Sequence, residues 1–595
     1  MRGIDASVCS FRPGTADCWW ADAVFYEIYI RSFQDSNGDG IGDLNGIATR
    51  LDYLADLGVT ALWITPFYPS PQVDFGYDVS DHEDVDPQFG TLADFEALVD
   101  AAHRRGIRIA IDVVLNHTSD RHPWFEASRG SRTSPTRDWY VWRDGAGDGR
   151  PPNNWESVFG GPAWTFDDRT GQWYYHCFYR QQPDLNWRNP AVEARMRDVL
   201  KFWLDRGVDG FRLDAVSALY EDPELRDNPP LASPRVTLTG MVAQEWVHNR
   251  RPDEVLDALQ RVRRFVDRDG RDAVLISEAY LDTADELASF YGRNGDDGMH
   301  LPFNFFLAQV PSLDARLFRR AVEDVEAATR GRWPSLVLSN HDINRACDRL
   351  AEAAHTDACA KLLAMLLLTL RGTPFIYYGE EIGMRTDPPR RRDEVLDPVG
   401  RTFWPAYKGR DGVRRPMTWN GTAGHGFTRG TPWLRFPSDA TTRHVAAQTD
   451  DGRSVLEFYR ALLRLRAGSP ALREGEYRSL ESAPEVFAYT RTADTGARGL
   501  SGAEVDTGAR GFSASARQSP GELRRDPPKR LCREGGSRAT VVVLNMSDRV
   551  VERALNADAA TRVDGRVALG THRTPEAPVD AQSLDLQPFE GVVIV

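Results

Sequence analysis

The chain has 595 residues, 41% of them hydrophobic and 27% charged, and a net charge of −14 carried by mixed acidic and basic residues. That length implies more than one core. The charge leaves no basic footprint for nucleic acid and no attraction to an anionic membrane. The apolar run 362–370 is too short to span a bilayer, and residues 1–18 lack the apolar segment of a secretory signal.

In chain order, residues 25–33 are aromatic and β-branched and predict a strand. Residues 47–57 carry helical spacing, 59–66 predict a strand, 91–105 an amphipathic helix and 107–114 a third strand. The alternation resumes with a helix at 190–206, a strand ending at Asp214, a helix at 254–267 and a strand at 273–280. It continues with a short strand at 301–306, a helix at 310–328, a strand at 335–340, a helix at 355–371 and a strand at 374–379. Eight strands alternating with helices predict an α/β fold, a (β/α)8 TIM barrel. Residues 118–188 are too long for a connecting loop and predict an inserted subdomain after strand 3. The barrel is then assembled from 1–117 and 189–470. Residues 471–595, with strands at 486–492, 539–545 and 591–595, predict a C-terminal all-β domain. Inside it, 494–538 is rich in Gly, Ser, Arg and Pro and holds the near-repeat DTGARGLSG and DTGARGFSA, so it predicts a disordered insert.

Six scattered cysteines (Cys9, Cys18, Cys177, Cys347, Cys359 and Cys532) form no CxxC pair. They are expected to be free thiols in a reducing compartment, and cytoplasmic residence follows; a Cys9–Cys18 pair is expected only on export.

Barrel chemistry gathers at the C-terminal ends of the strands. There the chain places Asp112 to His117, then Arg212 and Asp214, then Glu278, then Asn340, His341 and Asp342. Arg212 and Asp214 stand two apart on one strand and so share a face. A buried carboxylate beside a guanidinium either pairs or does chemistry. With Asp112 expected to be a buried hydrogen-bond acceptor, three carboxylates, two histidines and an arginine at one mouth suit acetal cleavage, which needs one acid and one anionic partner.

The segments DVVLNH, GFRLDAV, the Glu after LIS, and SNHD closely resemble the four signature regions of the α-amylase superfamily, glycoside hydrolase family 13. QPDLN at 182–186 resembles the signature of its oligo-1,6-glucosidase and α-glucosidase branch. The resemblance implies a retaining glycosidase with Asp214 as nucleophile, Glu278 as acid and base, and Asp342 stabilising the transition state. It implies that Arg212 holds Asp214 ionised, and that His117 and His341 bond the same sugar ring. Tyr77 would stack on the terminal glucose, Asp74 would bond its far hydroxyls, and Phe159 and Phe178 would wall the pocket. The run from Gly409 to Trp419 resembles the GRDGxRTPMQW segment of α-glucosidases, departing from it at Arg415 and Thr418; by that alignment Arg414 pairs with Asp74 and closes the pocket behind one glucose. Val216 is expected to face the pocket.

No catalytic cofactor is expected. Asp35, Asn37, Asp39, the Ile41 carbonyl and Asp43 match the first part of a calcium loop, and a structural Ca2+ (or Mg2+) is expected there. The expected partner is a small oligosaccharide, with neither nucleic acid nor membrane, for a monomer or homodimer. Broad α-glucosidase action is favoured, with oligo-1,6-glucosidase and trehalose synthase as alternatives. A catalytically inactive binding homologue is the contrasting class, and the retained carboxylates speak against it.

Overall fold

The computed structural model describes residues 18–595 apart from 148, 234, 236, 238–240, 270–271, 294–296, 352–355, 494–537, 556–563 and 581–583. The predicted insert with its near-repeat therefore lies outside the described residues.

Eight parallel strands form the barrel sheet: β1 (Phe25–Ile28), β2 (Ala61–Ile64), β3 (Arg108–Val114), then, after the insertion, β7 (Gly210–Asp214), β8 (Val274–Ser277), β9 (Leu301–Pro302), β10 (Ser335–Val337) and β11 (Thr373–Tyr377). Their order is β10-β11-β1-β2-β3-β7-β8-β9. The ring closes between β9 and β10 through a side chain: the Ser335 hydroxyl donates to Pro302 O at 2.8 Å and accepts from Asn304 N at 3.0 Å. The insertion contributes the antiparallel strands β4 (Trp142–Arg143), β5 (Trp164–Asp167) and β6 (Gln172–Tyr175). A C-terminal antiparallel sheet holds β12 (Glu476–Leu480), β13 (Val486–Ala493), β14 (Arg538–Asn545), β15 (Asp564–Gly570), β16 (Pro578–Asp580) and β17 (Gly591–Ile594).

The two-residue period of the strands sorts the core. Phe25, Ala61, Trp63, Ala110, Val274, Ile276 and Phe375 pack in one cluster, while the alternate residues Tyr26, Leu62, Ile109, Phe211 and Leu275 pack in another. The first set fills the barrel and the second meets the helices around it. Gly210 lets β7 approach β8 inside the ring, since a Cβ there would lie 2.3 Å from Val274 Cγ1. Helices start on local signals: Thr91 and Asp94 form a reciprocal cap before helix Leu92–His103, and Asn189 with Pro190 opens helix Pro190–Leu204.

Two expectations are corrected. The first strand ends at Ile28, where its pairing with Ile64 ends, and Ile30–Phe33 turns into a short helix. Tertiary bonds fix that turn, Gly42 N donating to Arg31 O and Asp43 N to Gln34 O, and they override the strand propensity of the segment. Cys18 is disulfide-bonded rather than a free thiol, while Cys177, Cys347 and Cys359 are free and buried; Cys9 and Cys532 lie outside the described residues. Among the described residues no helix is long and apolar enough to cross a membrane.

Candidate active site

The C-terminal ends of the strands open on a cavity of about 510 Å³. Asp74, Tyr77, His117, Phe159, Phe178, Asp214, Glu278, Asp342 and Arg410 line it. Arg212, His341 and Arg414 stand directly behind this wall and are at most 1% exposed.

Arg212 is the centre of the charge arrangement. Its Nη1 lies 2.6 Å from Asp112 Oδ1 and 2.5 Å from Asp214 Oδ1, and its Nη2 lies 2.7 Å from Glu278 Oε1. Register explains the convergence, since Arg212 pairs with Asp112 on β3 and with Ile276 on β8, two residues before Glu278. Beyond Asp214 the chain turns sharply at Ala215, which takes a left-handed conformation (φ 48°, ψ 35°). Such strain in a non-glycine residue is held only by its surroundings. Here Ala215 N donates to Glu278 Oε2 at 3.1 Å and Val216 N to Glu278 O at 3.1 Å, so the turn after one carboxylate fixes the other.

The three carboxyls differ in proton affinity. Burial pushes Glu278 up to about 8, with Arg212 opposing and Asp214 and Asp342 adding to the rise. Burial pushes Asp214 up to about 7, with Arg212 again opposing. For Asp342 burial works in the same direction, but His341, Arg410 and Arg414 outweigh it and hold the carboxyl well below the usual range. Glu278 therefore keeps its proton to the highest pH and Asp342 is the firmest anion, the division of labour that an acid and an anion need.

The far end of the cavity is closed by ion pairs. Arg410 Nη2 contacts Asp74 Oδ1 at 2.8 Å and Nη1 contacts Asp342 Oδ1 at 3.0 Å, while Asp397 anchors the guanidinium at Nε, 2.9 Å away. This corrects the expectation for Arg414, which instead reaches Asp342 Oδ1 at 2.7 Å and His341 O at 2.9 Å. The two arginines stand four positions apart in one loop, and only its path decides which meets Asp74. Gln182 crosses from the insertion to the same end, its Nε2 lying 3.3 Å from Asp74 Oδ2 and 3.1 Å from His117 Nε2. Phe159 and Phe178 meet at 5.6 Å between ring centroids, and Arg410 sits 5.4 Å over the Phe159 ring.

Further corrections concern Val216 and His341. Val216 is fully buried in the hydrophobic core, and Ala215 and Ser217 line the cavity in its place. His341 is fully buried and does not line the cavity; its ring lies nearly parallel to those of Tyr77 and Tyr29, at 5.4 and 5.9 Å between centroids.

Trp246, Asn249, Arg250, Tyr280 and Tyr407 also line the cavity, and sequence reasoning missed them. Trp246, Asn249 and Arg250 come from the long loop after β7. Asn228 secures that loop by bonds to Gln244 Oε1 (2.7 Å) and Asn249, and by accepting from His248 N at 2.9 Å. The DNPP segment at 227–230 marks the loop in the sequence, but nothing in it points to Trp246.

The loop from Asp35 to Asp43 offers only oxygen donors, which suit a hard divalent cation. The same oxygens also accept loop N–H groups: Asp35 takes Asn37 N, Gly38 N and Gly40 N, Asp39 takes Ile41 N, and Asp43 takes Ser36 N. Among the described residues no three His, Cys, Asp or Glu side chains converge as a metal cluster.

Residues 27–475 match the family described as alpha amylase, catalytic domain. The chain is 45% identical over 481 residues to a probable alpha-glucosidase of Rhizobium meliloti, covering 80% of this chain and 87% of that protein. It is 38% identical over 504 residues to an oligo-1,6-glucosidase of Parageobacillus thermoglucosidasius, covering 80% and 88%. The crystal structure of the alpha-glucosyl transfer enzyme XgtA superposes with a TM-score of 0.82 at 38% identity, covering 97% of this chain and all of that one. With barrel, strand-end carboxylates and extended similarity in agreement, the chain belongs to the α-amylase family and is a glycoside hydrolase of the α-glucosidase type.

Proposed function

We propose that this enzyme removes glucose from the non-reducing end of short α-glucosides, of the maltose and aryl-glucoside kind, with transfer to other hydroxyls as a side reaction. The observation that carries this reading is the closed end of the cavity. Arg410 joins Asp74 to Asp342 beside the Arg212-held pair Asp214 and Glu278, so a chain cannot run through and a terminal sugar is what fits.

In this reading Asp214 attacks the anomeric carbon while Glu278 gives its proton to the departing oxygen, leaving a glucosyl ester on Asp214. Water or another hydroxyl then attacks the same carbon, returns a proton to Glu278 and releases Asp214. Two inversions leave the α configuration unchanged. Asp342 lies across the site as a fixed anion, where it opposes the positive charge developing on the sugar. Asp74 and Arg410 would take the hydroxyls of the far edge, His117 and Tyr77 the ring, and Phe159 and Phe178 its apolar face.

The similarity to an oligo-1,6-glucosidase favours a second reading in which isomaltose is the better substrate. Turnover of maltose, isomaltose, sucrose, trehalose and p-nitrophenyl α-glucoside, beside an Asp214→Asn control, separates the readings. Glucose from maltose and the aryl glucoside, lost on the order of 10⁴-fold in the control, supports the first; preference for isomaltose selects the second. Conversion of maltose to trehalose with little free glucose marks an isomerase, and inactivity of the folded protein on every sugar defeats the reading.

We also propose that the loop from Asp35 to Asp43 holds a structural Ca2+ or Mg2+, through Asp35, Asn37, Asp39, the Ile41 carbonyl and Asp43. Its oxygen-only donor set supports this. A chelator should lower the melting temperature and added Ca2+ restore it; an unchanged melting curve means the loop stands on its own hydrogen bonds.

A further inference from the structure

Glu27 is a buried acid inside the barrel that the mechanism above leaves unused. It is 1% exposed and belongs to β1. Its Oε1 lies 2.6 Å from His341 Nδ1 and also accepts His341 N at 3.3 Å. The other edge of the imidazole, Nε2, lies 2.8 Å from the Tyr77 hydroxyl and 3.3 Å from Asp342 Oδ2. We propose that Glu27 is a positioning residue that keeps His341 Nε2 a hydrogen-bond donor toward Tyr77 and Asp342, the two wall residues in front of it.

The directions of the hydrogen bonds carry the argument. Asp112 Oδ2 stands 3.2 Å from the Tyr77 hydroxyl, and an ionised carboxylate only accepts. Tyr77 therefore spends its proton on Asp112 and presents a lone pair to Nε2. Asp342, the firmest anion of the site, also presents lone pairs to Nε2. Both neighbours call for Nε2–H. With that proton in place, Nδ1 is either a lone pair that takes a proton from Glu27 or an N–H that gives one to its carboxylate. Both forms hold the same number of protons, and both need a hydrogen-bonding partner for Nδ1 at position 27. The charges facing the pair are the cations Arg212, Arg410 and Arg414 and the anions Asp112 and Asp342. The rings of Tyr29 and Tyr77 lie nearly parallel to the imidazole, at 5.9 and 5.4 Å between centroids, and offer Nδ1 no hydrogen bond, so Glu27 is left to choose the tautomer.

The test rests on the glucosidase reading for its assay, p-nitrophenyl α-glucoside hydrolysis; an inactive wild type would defeat that reading and leave the spectroscopic arm below to decide this one. Glu27→Met keeps length and loses both donor and acceptor. It is expected to lower kcat by about 10- to 100-fold. Glu27→Gln, whose amide N–H can meet the Nδ1 lone pair, should recover most of that loss. In a His341→Asn background Glu27→Met should cost nothing further. Equal activity of Glu27→Met and wild type, or losses that multiply in the double variant, would overturn the proposal. A readout needing no Glu27 variant is the ring-¹⁵N histidine spectrum of the wild-type enzyme. The signal that disappears in His341→Asn should show a protonated Nε2, and an unprotonated Nε2 at neutral pH overturns the proposal.

Discussion

Arg410 Nη2 lies 2.8 Å from Asp74 Oδ1, joining residues 336 positions apart across the blind end of the cavity. The guanidinium is also held by Asp397 and touches Asp342, so one cation serves three carboxylates, of which Asp74 and Asp397 are buried. Removing it leaves Asp74 and Asp397 without their cation, whereas Asp342 keeps Arg414. Arg410→Ala should destabilise the fold by about 3–5 kcal/mol and raise KM strongly, because the far wall loses its shape. Arg414→Ala should act differently, freeing Asp342 from one of its cations and lowering kcat more than it raises KM. Denaturant melts with steady-state kinetics on both variants check the contrast.

The order of proton affinities predicts a bell-shaped profile for kcat/KM. Activity rises as Asp214 loses its proton, at about 7, and falls as Glu278 loses its own, at about 8. The optimum should lie at neutral to slightly alkaline pH. Glu278→Gln assayed on p-nitrophenyl α-glucoside, whose leaving group needs little protonation, should lose the alkaline limb while keeping the acidic one. Persistence of that limb would assign it to another group.

A pair of buried histidines predicts acid sensitivity of the fold itself. His82 Nδ1 faces His122 Nε2 at 3.3 Å, and His122 caps the first helix of the insertion by accepting Trp124 N. Burial holds His82 down at about 4 and His122 at about 2, so both are neutral in the folded protein. The unfolded chain takes up their protons near 6.5. Unfolding is therefore coupled to proton uptake: this stability is complete above about 6.5 and is lost as pH falls toward 4, with a slope of about 1.4 kcal/mol per pH unit for each proton. Unfolding free energies of wild type and His82→Gln between pH 7 and 4 measure it, the variant showing the shallower slope.

Arg491, on β13, joins the C-terminal sheet to the barrel without a carboxylate. It donates to Thr369 O, at the end of helix Thr356–Thr369, and through Nε and Nη2 to Gly475 O. Charge on helix-terminal carbonyls is favourable, and truncation leaves them buried and unpaired. Arg491→Ala should cost about 2–4 kcal/mol while leaving KM unchanged. An urea titration read beside the aryl-glucoside assay tests both halves.

The barrel and its three carboxylates were legible because each lies in a short segment where spacing constrains chemistry: Asp214 two after Arg212, Glu278 just past an apolar strand, Asp342 after Asn340 and His341. Arg410 and Arg414 were not separable, since a loop without periodicity gives no side-chain direction. Val216 was misplaced because a strand period was carried past Asp214, where the backbone at Ala215 leaves the strand. Trp246, Tyr280 and Tyr407 reach the cavity from three different loops, and a single sequence holds no record of that convergence. Glu27 could have been found. Its alternation with Tyr26 and Ile28 puts an acid on the inward face of an otherwise apolar strand, and such an acid asks for a partner.

The side-chain closure at Ser335 has a bearing on how the barrel moves. Seven of its junctions are backbone ladders, whereas the eighth is a single hydroxyl shared by Pro302 O and Asn304 N. A cylinder laced this way has a weakest stave. Amide hydrogen exchange should therefore begin at Leu301 and Asn304 and along the facing edge of Ser335–Val337, and Ser335→Ala should widen that breach before it touches the wall that holds Asp214.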